Sequence, residues 1–240
     1  MKNKEKKKKR NKKKNKKKKA EKLNREGLFH AIIKHMPIYI TILISCYLIN
    51  KQLGANLFLT IFSLLSVMYS GYNTHILSHK LNFTKIYKKH NHFTKQYKFI
   101  DKICKSVCSF FDFHKDVHHD SKINKLPINV FYECLHNLFF QGLGMLLFCH
   151  IVARLNPWMF IFWALLYSSL HHINMNIFGS LPHAQHHVDP STNYGFGFDL
   201  YDIMFDTIDG INETETFYSA IINVAVITGV LYYIIPYFKK

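Results

Sequence analysis

PHAQHHVDP, residues 182–190, is the stretch that constrains the fold of this chain most. Pro182 favours the first position of a helix and Asp189-Pro190 ends one, so the stretch predicts a helix of about two turns. Residues three and four apart share one helix face, which brings together the imidazoles of His183, His186 and His187. Neutral imidazole binds transition metals, so this helix predicts part of a metal site.

Other histidines recur in groups with the same helical spacing. An HxxxH pair precedes an HxxxHH group, and a doubled histidine lies between that group and residue 182. These further candidate ligands are His75, His79, His114, His118, His119, His171 and His172. So many convergent imidazoles exceed the coordination number of one ion, and two metal ions are the economical interpretation. For His30, His35 and His150, which stand alone, an ordinary solvated or internally bonded side chain is the preferred interpretation.

Five apolar stretches predict a membrane protein. They cover about residues 36–50, 55–72, 138–153, 158–170 and 216–238. A spanning helix needs about 20 apolar residues, which the second and fifth stretches supply without extension. Turns at 51–54 and 154–157 join the first four stretches into two hairpins. The predicted fold is an all-α membrane protein with two transmembrane helical hairpins, a C-terminal span and a cytosolic helical cap that carries the histidine groups. A soluble helical bundle would need polar outer faces, which these stretches lack.

The positive charge belongs to a tail. The formal net charge is +17, and residues 1–25 hold 16 of the 32 Lys and Arg residues but only two acidic ones. The tail has almost no apolar residue, which predicts disorder. Next to a membrane span it would attract anionic lipid head groups. Nucleic acid is a weaker candidate partner, because no aromatic residue is interleaved for base stacking.

The predicted domains are a polybasic tail at 1–25, a membrane-embedded domain at 26–215 and a transmembrane or interfacial helix at 216–240. The positive-inside rule keeps the tail in the cytosol. Two spans then precede the segment 73–136 and four precede 171–215. Both histidine-rich segments are therefore predicted on the cytosolic side, by an inference that uses no histidine.

The histidine pattern resembles the fatty acid hydroxylase/sterol desaturase superfamily of membrane-bound di-iron enzymes. The stretch from His183 to Gly195, continued by Asp202 to Thr207, is similar to the terminal HxxHH, NYG and D-x-x-F-x-T signature of that family. The middle group, followed by Pro127 and Glu133, is similar too. His171 or His172 resembles an additional family ligand between the second and third groups, and the spacing does not say which of the two it is. The resemblance covers about residues 69–207.

This resemblance implies an oxygen-dependent oxidation, either hydroxylation or desaturation, of a membrane lipid such as a fatty acyl chain or a sterol. It implies two non-haem iron ions, electrons from cytochrome b5 and its reductase, and a location in the endoplasmic reticulum. Carboxylates that accept hydrogen bonds from the ligand imidazoles would orient the rings and raise their basicity. The candidates are Asp112, Asp116, Glu133, Asp199 and Asp202. Helix capping is an equally good interpretation of each carboxylate.

The middle group departs from the family pattern. The family places its second box soon after the first, whereas here that box begins at His114. His90 and His92 fall closer to the expected position. An insertion between the boxes is the preferred interpretation, because the group at 114–119 keeps the doubled histidine and the downstream Pro127 and Glu133.

Two other functions fit parts of the sequence. A zinc-dependent membrane hydrolase would use the imidazoles, although catalytic zinc usually needs three protein ligands. A non-enzymatic membrane tether would use the basic tail, but it leaves the histidine spacing unexplained. Redox-active iron in the purified protein separates the di-iron enzyme from both.

The topology can be tested with two tags. A tag before Lys2 and a tag after Lys122 should report the same compartment, the cytosol, because two spans separate them. Asn212, in an Asn-Glu-Thr sequon, should stay unglycosylated, because the segment 171–215 is also predicted to lie in the cytosol. Protease protection and glycosidase shifts measure both, and tags in opposite compartments would contradict the shared side.

Overall fold

The structure is a computed structural model and describes residues 32–33, 35–119, 127–143, 154–173, 181–195, 200–209 and 217–238. Throughout these ranges the chain forms helices and the turns between them, with no strand. The predicted all-α class is confirmed for this part of the chain. The basic tail, Asp199, Asn212 and most of the third apolar stretch lie outside the described residues.

The first two helices form the predicted hairpin. Helix α1 spans His35–Leu53 and helix α2 spans Leu57–Lys80. The chain reverses at Gly54, whose φ of 62° lies in the left-handed region that glycine tolerates. The Asn56 side chain caps α2 by accepting a hydrogen bond from the backbone N–H of Leu59 at 3.2 Å.

Two shorter helices follow α2. Helix α3 spans Phe83–His90 and helix α4 spans Lys98–Phe113. In the last turn of α4, the Asp112 carboxylate accepts hydrogen bonds from the backbone N–H groups of Phe83, at 2.8 Å, and Thr84, at 2.7 Å. Because a helix N-terminus leaves its first N–H groups unsatisfied, Asp112 fastens the start of α3 to the end of α4.

The remaining described helices surround the site. They are α5 at Pro127–Leu138, α6 at Pro157–Ile173, α7 at Leu181–Val188, α8 at Leu200–Phe205 and α9 at Phe217–Phe238. π-helical turns follow α4 and α5, at His114–His118 and Phe139–Leu143. Helix α7 is the helix predicted from the opening stretch; it begins one residue before Pro182 and stops before Asp189.

Helix α6 forms the centre of the core. It packs against α2, α5, α9 and the second π-helical turn. Its Met159 and Phe162 side chains are fully enclosed, at 0% exposure. They belong to one apolar cluster with Cys46 of α1, Val67 of α2 and Val224 of α9.

Small polar side chains link the helices within this core. Ahead of α6, the backbone N–H of Asn156 donates to the Ser63 hydroxyl at 2.8 Å, and its side-chain amide donates to the Thr60 hydroxyl at 3.2 Å. Thr228 of α9 donates to the Ser45 hydroxyl of α1 at 2.7 Å. Such hydrogen bonds between helices are typical of helix packing in membranes.

The outer faces of α1 and α9 are apolar. Their exposed residues include Met36, Ile40, Leu43, Ile44 and Tyr47 on α1, and Ile222, Val226, Val230 and Tyr233 on α9. By length and composition, two of the described helices can cross a membrane, at His35–Leu53 and Ser219–Phe238, a criterion that a core helix of a soluble protein also meets. The second and fourth apolar stretches lie in α2 and α6, and the number and orientation of spans stay predictions.

The second π-helical turn touches α6 at a glycine. A Cβ atom on Gly142 would lie 2.6 Å from the backbone oxygen of Phe160 and 3.1 Å from the Cβ of Ala164. A backbone carbonyl within a packed helix has little room to retreat. By contrast, a Cβ on Gly229 of α9 would meet nothing within 4 Å.

Replacing Gly142 with Ala should therefore lower the free energy of unfolding by about 1–3 kcal/mol, the usual cost of overpacking. Gly229→Ala is the matched control and should leave stability unchanged or raise it slightly, because alanine favours helix. Thermal unfolding of the two purified variants measures the difference. Equal unfolding temperatures would contradict the close approach of the turn to α6.

Candidate metal centre

The last turns of α2 carry the first histidine pair. The helix is apolar up to Met68 and polar towards its C-terminus. His75 and His79 lie one turn apart on one face, with ring centroids separated by 5.2 Å. His75 is buried and His79 is half-buried. The helix that builds the core therefore also delivers two imidazoles to its end.

The middle group lies on the first π-helical turn. There the backbone N–H of His119 donates to the carbonyl of His114 at 3.3 Å, which closes a five-residue turn. The wider turn keeps His114, His118 and His119 on the same side, whereas an α-helix would swing the last one away. The ring centroid of His114 lies 4.9 Å from that of His118 and 5.1 Å from that of His119.

Helix α7 supplies the third group. His183 and His186 are buried, at 2% and 0% exposure, and His187 is half-buried. The Nε2 atoms of His183 and His187, one turn apart, are separated by 2.9 Å. The face predicted from the HxxHH spacing is the face that meets α2 and the first π-helical turn.

The first cluster consists of His75, His79, His114 and His186. The Nε2 atom of His186 lies 3.1 Å from that of His75 and 3.0 Å from that of His79. The Nε2 atoms of His79 and His114 are 3.2 Å apart. Three separate chain segments thus point the same ring nitrogen into one small space.

The second cluster consists of His118, His183 and His187. The Nε2 atom of His118 lies 3.1 Å from that of His183 and 3.0 Å from that of His187. With the 2.9 Å separation of the other two, the three nitrogens form a nearly equilateral triangle.

His119 lies between the clusters. Its ring centroid is 4.7 Å from that of His79 in the first cluster and 4.3 Å from that of His187 in the second. Its Nε2 atom is shielded from solvent and makes no hydrogen bond with the described residues. A buried imidazole nitrogen of this kind could serve as a metal ligand.

Backbone carbonyl groups fix the tautomers of two histidines in the first cluster. The Nδ1 atom of His75 lies 2.7 Å from the backbone oxygen of Tyr194, and that of His186 lies 2.6 Å from the oxygen of Thr192. A carbonyl only accepts, so each Nδ1 carries the proton and each Nε2 of the neutral ring keeps a lone pair. The lone pairs of His75 and His186 then face each other, an arrangement that a shared cation stabilises.

A glutamate fixes His118 in the second cluster. The Nδ1 atom of His118 donates to Oε1 of Glu133 at 2.8 Å, which leaves the lone pair of His118 on Nε2, towards His183 and His187. His171 donates from Nε2 to the same oxygen at 2.5 Å. Histidine hydrogen-bonded to a carboxylate is a common arrangement in metal sites, because it orients the ring and raises its basicity.

His171 and His172 therefore differ in position. His118, Glu133 and His171 form a third group whose donor atoms lie close together, and the His171 ring centroid is 4.7 Å from that of His183. The ring centroid of His172 lies 6.1 Å from that of His171, and His172 belongs to none of the three groups. Of the two predicted alternatives, His171 is the one placed at the site.

The other predicted carboxylates have separate roles. Asp112 caps α3, as described above, and does not contact a cluster histidine in the described structure. Asp116 is exposed on the π-helical turn, and Asp199 lies outside the described residues. His90 and His92 are exposed on and after α3, whereas the 114–119 group forms part of the clusters.

Asp202 holds the loop that supplies the carbonyls. Its carboxylate accepts hydrogen bonds from the backbone N–H groups of Tyr194, at 2.8 Å, and Gly195, and from the Thr207 hydroxyl at 2.6 Å. Asn193 adopts the left-handed conformation, with a φ of 53°. The chain turns there, and the backbone oxygen of the next residue, Tyr194, points towards His75. The Asn-Tyr-Gly and Asp-to-Thr residues of the terminal stretch therefore act as a support behind the imidazoles.

Burial keeps the cluster imidazoles neutral. Desolvation, followed by the neighbouring imidazoles, lowers the pKa of His119 to about 2 and that of His187 to about 3. Desolvation also lowers the pKa of His79 to about 4 and that of His186 to about 3. At neutral pH a cation would therefore meet free lone pairs and would displace no proton.

Some residues around the site carry no recognisable sequence signal. The oxygens of Thr192 and Tyr194 are backbone atoms, so their role depends on the loop conformation alone. His136 is buried, and its ring stacks on Phe140 with centroids 4.3 Å apart. It stands outside any HxxxH or HxxHH spacing with its neighbours, and its proximity to the first cluster follows from how α5 packs.

No protein-family model matches the chain, and comparisons with curated proteins and solved structures give no significant match. The residues themselves therefore define the site. Several histidine clusters, one of them extended by Glu133, can hold metal ions.

The two clusters should lose metal separately. His186→Ala removes a ligand of the first cluster and His187→Ala one of the second, so each variant should retain about half of the metal of the parent protein. Elemental analysis of the purified variants measures this content. His90→Ala is the matched control, since His90 is exposed, and should keep all of the metal. Full metal content in both His186→Ala and His187→Ala would contradict the assignment.

Proposed function

We propose that the protein is a membrane-embedded di-iron enzyme that uses dioxygen to hydroxylate or desaturate a lipid, such as a fatty acyl chain or a sterol. The observation that carries this proposal is the pair of adjacent imidazole clusters, with seven Nε2 atoms directed into two small spaces. The resemblance of the histidine pattern to membrane-bound di-iron enzymes suggests the same chemistry.

The two clusters are compatible with two iron ions. Two nitrogens bound to one ion at about 2.1 Å lie about 3.0 Å apart at a right angle and about 3.4 Å apart in a tetrahedron. The separations of 2.9–3.2 Å between neighbouring cluster nitrogens are close to these values, so the nitrogens of each cluster are near enough to share one ion. Neutral imidazole suits iron, zinc, copper or nickel, and the resemblance to membrane-bound di-iron enzymes favours iron among them.

The bound metals would supply the oxidation of an unactivated C–H bond, which no side chain achieves alone. The protein residues would hold and orient the ligands. Tyr194 and Thr192 fix two rings of the first cluster through their carbonyls, and Glu133 fixes His118 in the second. Asp202 keeps the loop of Tyr194 in place, so the ligand geometry is set before metal binds.

The site has little free space on one side. A cavity of only about 10 Å³ lies beside His75 and His114 and is lined further by His136, Asn137 and Gln141. That space admits about one water molecule. Exclusion of bulk water would protect a strong oxidant from side reactions.

The outer surface supports the membrane placement. The exposed apolar stripes of α1 and α9 are rimmed by no charged residues over most of their length, and hydrophobic surface of this extent marks contact with lipid or another protein. A lipid substrate would then approach laterally, between helices, towards histidines at the helix ends. Electrons would come from a partner, for which the resemblance suggests cytochrome b5 and its reductase.

A zinc hydrolase is the second candidate. The open triangle of His118, His183 and His187 matches the three-ligand count of catalytic zinc. The first cluster, with four further imidazoles and His119 beside them, would have no role in such an enzyme. The di-iron proposal gives both clusters a role.

Isotope labelling tests the reaction. Membranes containing the protein are supplied with a reductant, a reductase, a lipid extract and ¹⁸O₂, and the lipids are analysed by mass spectrometry. Hydroxylation places ¹⁸O in the lipid, whereas desaturation removes two hydrogens from the lipid and leaves ¹⁸O in water. His186→Ala and His187→Ala should both abolish the product, because each removes a ligand, while His90→Ala should retain it.

Product formation that persists under nitrogen, or in both cluster variants, would contradict the proposal. Hydrolysed lipid that forms without oxygen and requires zinc would favour the hydrolase instead.

A further inference from the structure

We propose that α3 and α4, here called the α3–α4 hairpin, lie on the surface of an anionic lipid bilayer and hold the first π-helical turn at that surface. The hairpin covers Phe83–Phe113 and contains the residues that separate the first two histidine groups. The proposal rests on the membrane location given under the proposed function, but not on the metal or the reaction.

The hairpin has an apolar face that nothing in the described structure covers. Phe99, Ile103 and Val107 follow one another at four-residue intervals on α4, with exposures of 76%, 47% and 47%. Phe93 and Tyr97, in the connection to α3, are exposed at 68% and 50%. Asp112 is the one buried residue of α4, and no residue of α3 is buried. A soluble surface rarely presents such a row of large apolar side chains.

Lysines border this apolar face. Lys98, Lys102 and Lys105 are exposed on the flank of α4 next to this face. Within residues 83–113 there are seven lysines and two aspartates, a net charge of +5. One aspartate, Asp112, caps α3, and the other, Asp101, pairs with Lys105 at 2.6 Å. An amphipathic helix with aromatic residues on one face and lysines on the other is typical of an interfacial helix that binds anionic lipid.

A groove beside α4 combines the same two chemistries. It has a volume of about 650 Å³ and lies between α4 and α5. It is lined by Lys102, by Lys105 with its partner Asp101, by two serines, and by the rings of Phe110, Phe113 and Tyr132. A lipid head group at the lysines would place its acyl chains against the aromatic rings. This pairing of charge and apolar surface favours a phospholipid over a soluble anion.

A second copy of the chain is a poorer occupant of this face. Two hairpins that each carry a charge of +5 would repel each other, and the basic tail of residues 1–25 would add to that repulsion. An anionic bilayer instead attracts both the hairpin and the tail.

The hairpin is connected directly to the candidate metal centre. His114 follows α4 without a break, and its π-helical turn carries His118 and His119 as well. Tyr87 of α3 donates a hydrogen bond to Asp101 of α4 at 2.8 Å, so the two helices are joined along their length as well as at Asp112. Seating the hairpin on the bilayer would therefore set the depth of the middle histidine group relative to the lipid.

Photocrosslinking in nanodiscs tests this inference. The full chain carries p-benzoylphenylalanine in place of Phe99 and is reconstituted in phosphatidylcholine, with or without phosphatidylserine. Intact-protein mass spectrometry after irradiation should show lipid adducts at Phe99. Phosphatidylserine should raise their yield by about fivefold or more, the factor that a single lysine contributes near an anionic leaflet. Lys98→Glu, Lys102→Glu and Lys105→Glu together should remove that gain.

Two control positions make the result decisive. Lys88 is exposed on the lysine-bearing side of α3 and should give few lipid adducts, whereas Val226, on the outer face of α9, should give them in both lipid mixtures. Adducts at Val226 without adducts at Phe99 would overturn the inference and leave the membrane placement intact. Absence of lipid adducts at both would contradict the membrane placement itself. Protein–protein crosslinks at Phe99 in place of lipid adducts would overturn the inference in favour of a second copy.

Discussion

The convergence of neutral imidazole lone pairs is the constraint on which the rest of the structure depends. His75 and His186 each use Nδ1 to donate to a backbone carbonyl, and their Nε2 atoms then face each other at 3.1 Å. Two lone pairs at that distance repel unless a cation lies between them. Burial makes protonation of the rings unfavourable, so a metal ion is the cation that fits. The same logic applies to His118 and its neighbours, with Glu133 in place of the carbonyl.

Three different backbone structures position these imidazoles. The long helix α2 continues beyond the apolar core and ends in His75 and His79. A π-helical turn aligns His114, His118 and His119, and the short helix α7 presents a third face. Behind them, Asp202 and Thr207 fix the loop of Tyr194, so the first cluster is supported by a second layer of hydrogen bonds. The layers depend on one another, so a substitution in the loop would also disturb the arrangement of the rings.

Periodicity in the sequence predicted α7 and the histidine groups that come together in the clusters, whereas α3, α4, α5 and α8 were not predicted. The HxxHH spacing predicted α7, and the HxxxH spacing predicted that His75 and His79 share a face. The doubled histidine at 118–119 did not predict a π-helical turn, because the sequence pattern fits an α-helix equally well and tertiary contacts decide between them. The choice between His171 and His172 also depended on packing, since only the structure places Glu133 beside His171. The carbonyls of Thr192 and Tyr194 were beyond prediction because every residue has one.

Iron content and oxidation state test the central claim most directly. The full chain, purified from cells grown with ⁵⁷Fe, is analysed by elemental analysis and Mössbauer spectroscopy. A di-iron centre predicts about two iron ions per chain, with parameters of nitrogen-rich iron that change on exposure of the reduced protein to oxygen. A single zinc ion per chain, or iron that does not respond to oxygen, would contradict the account.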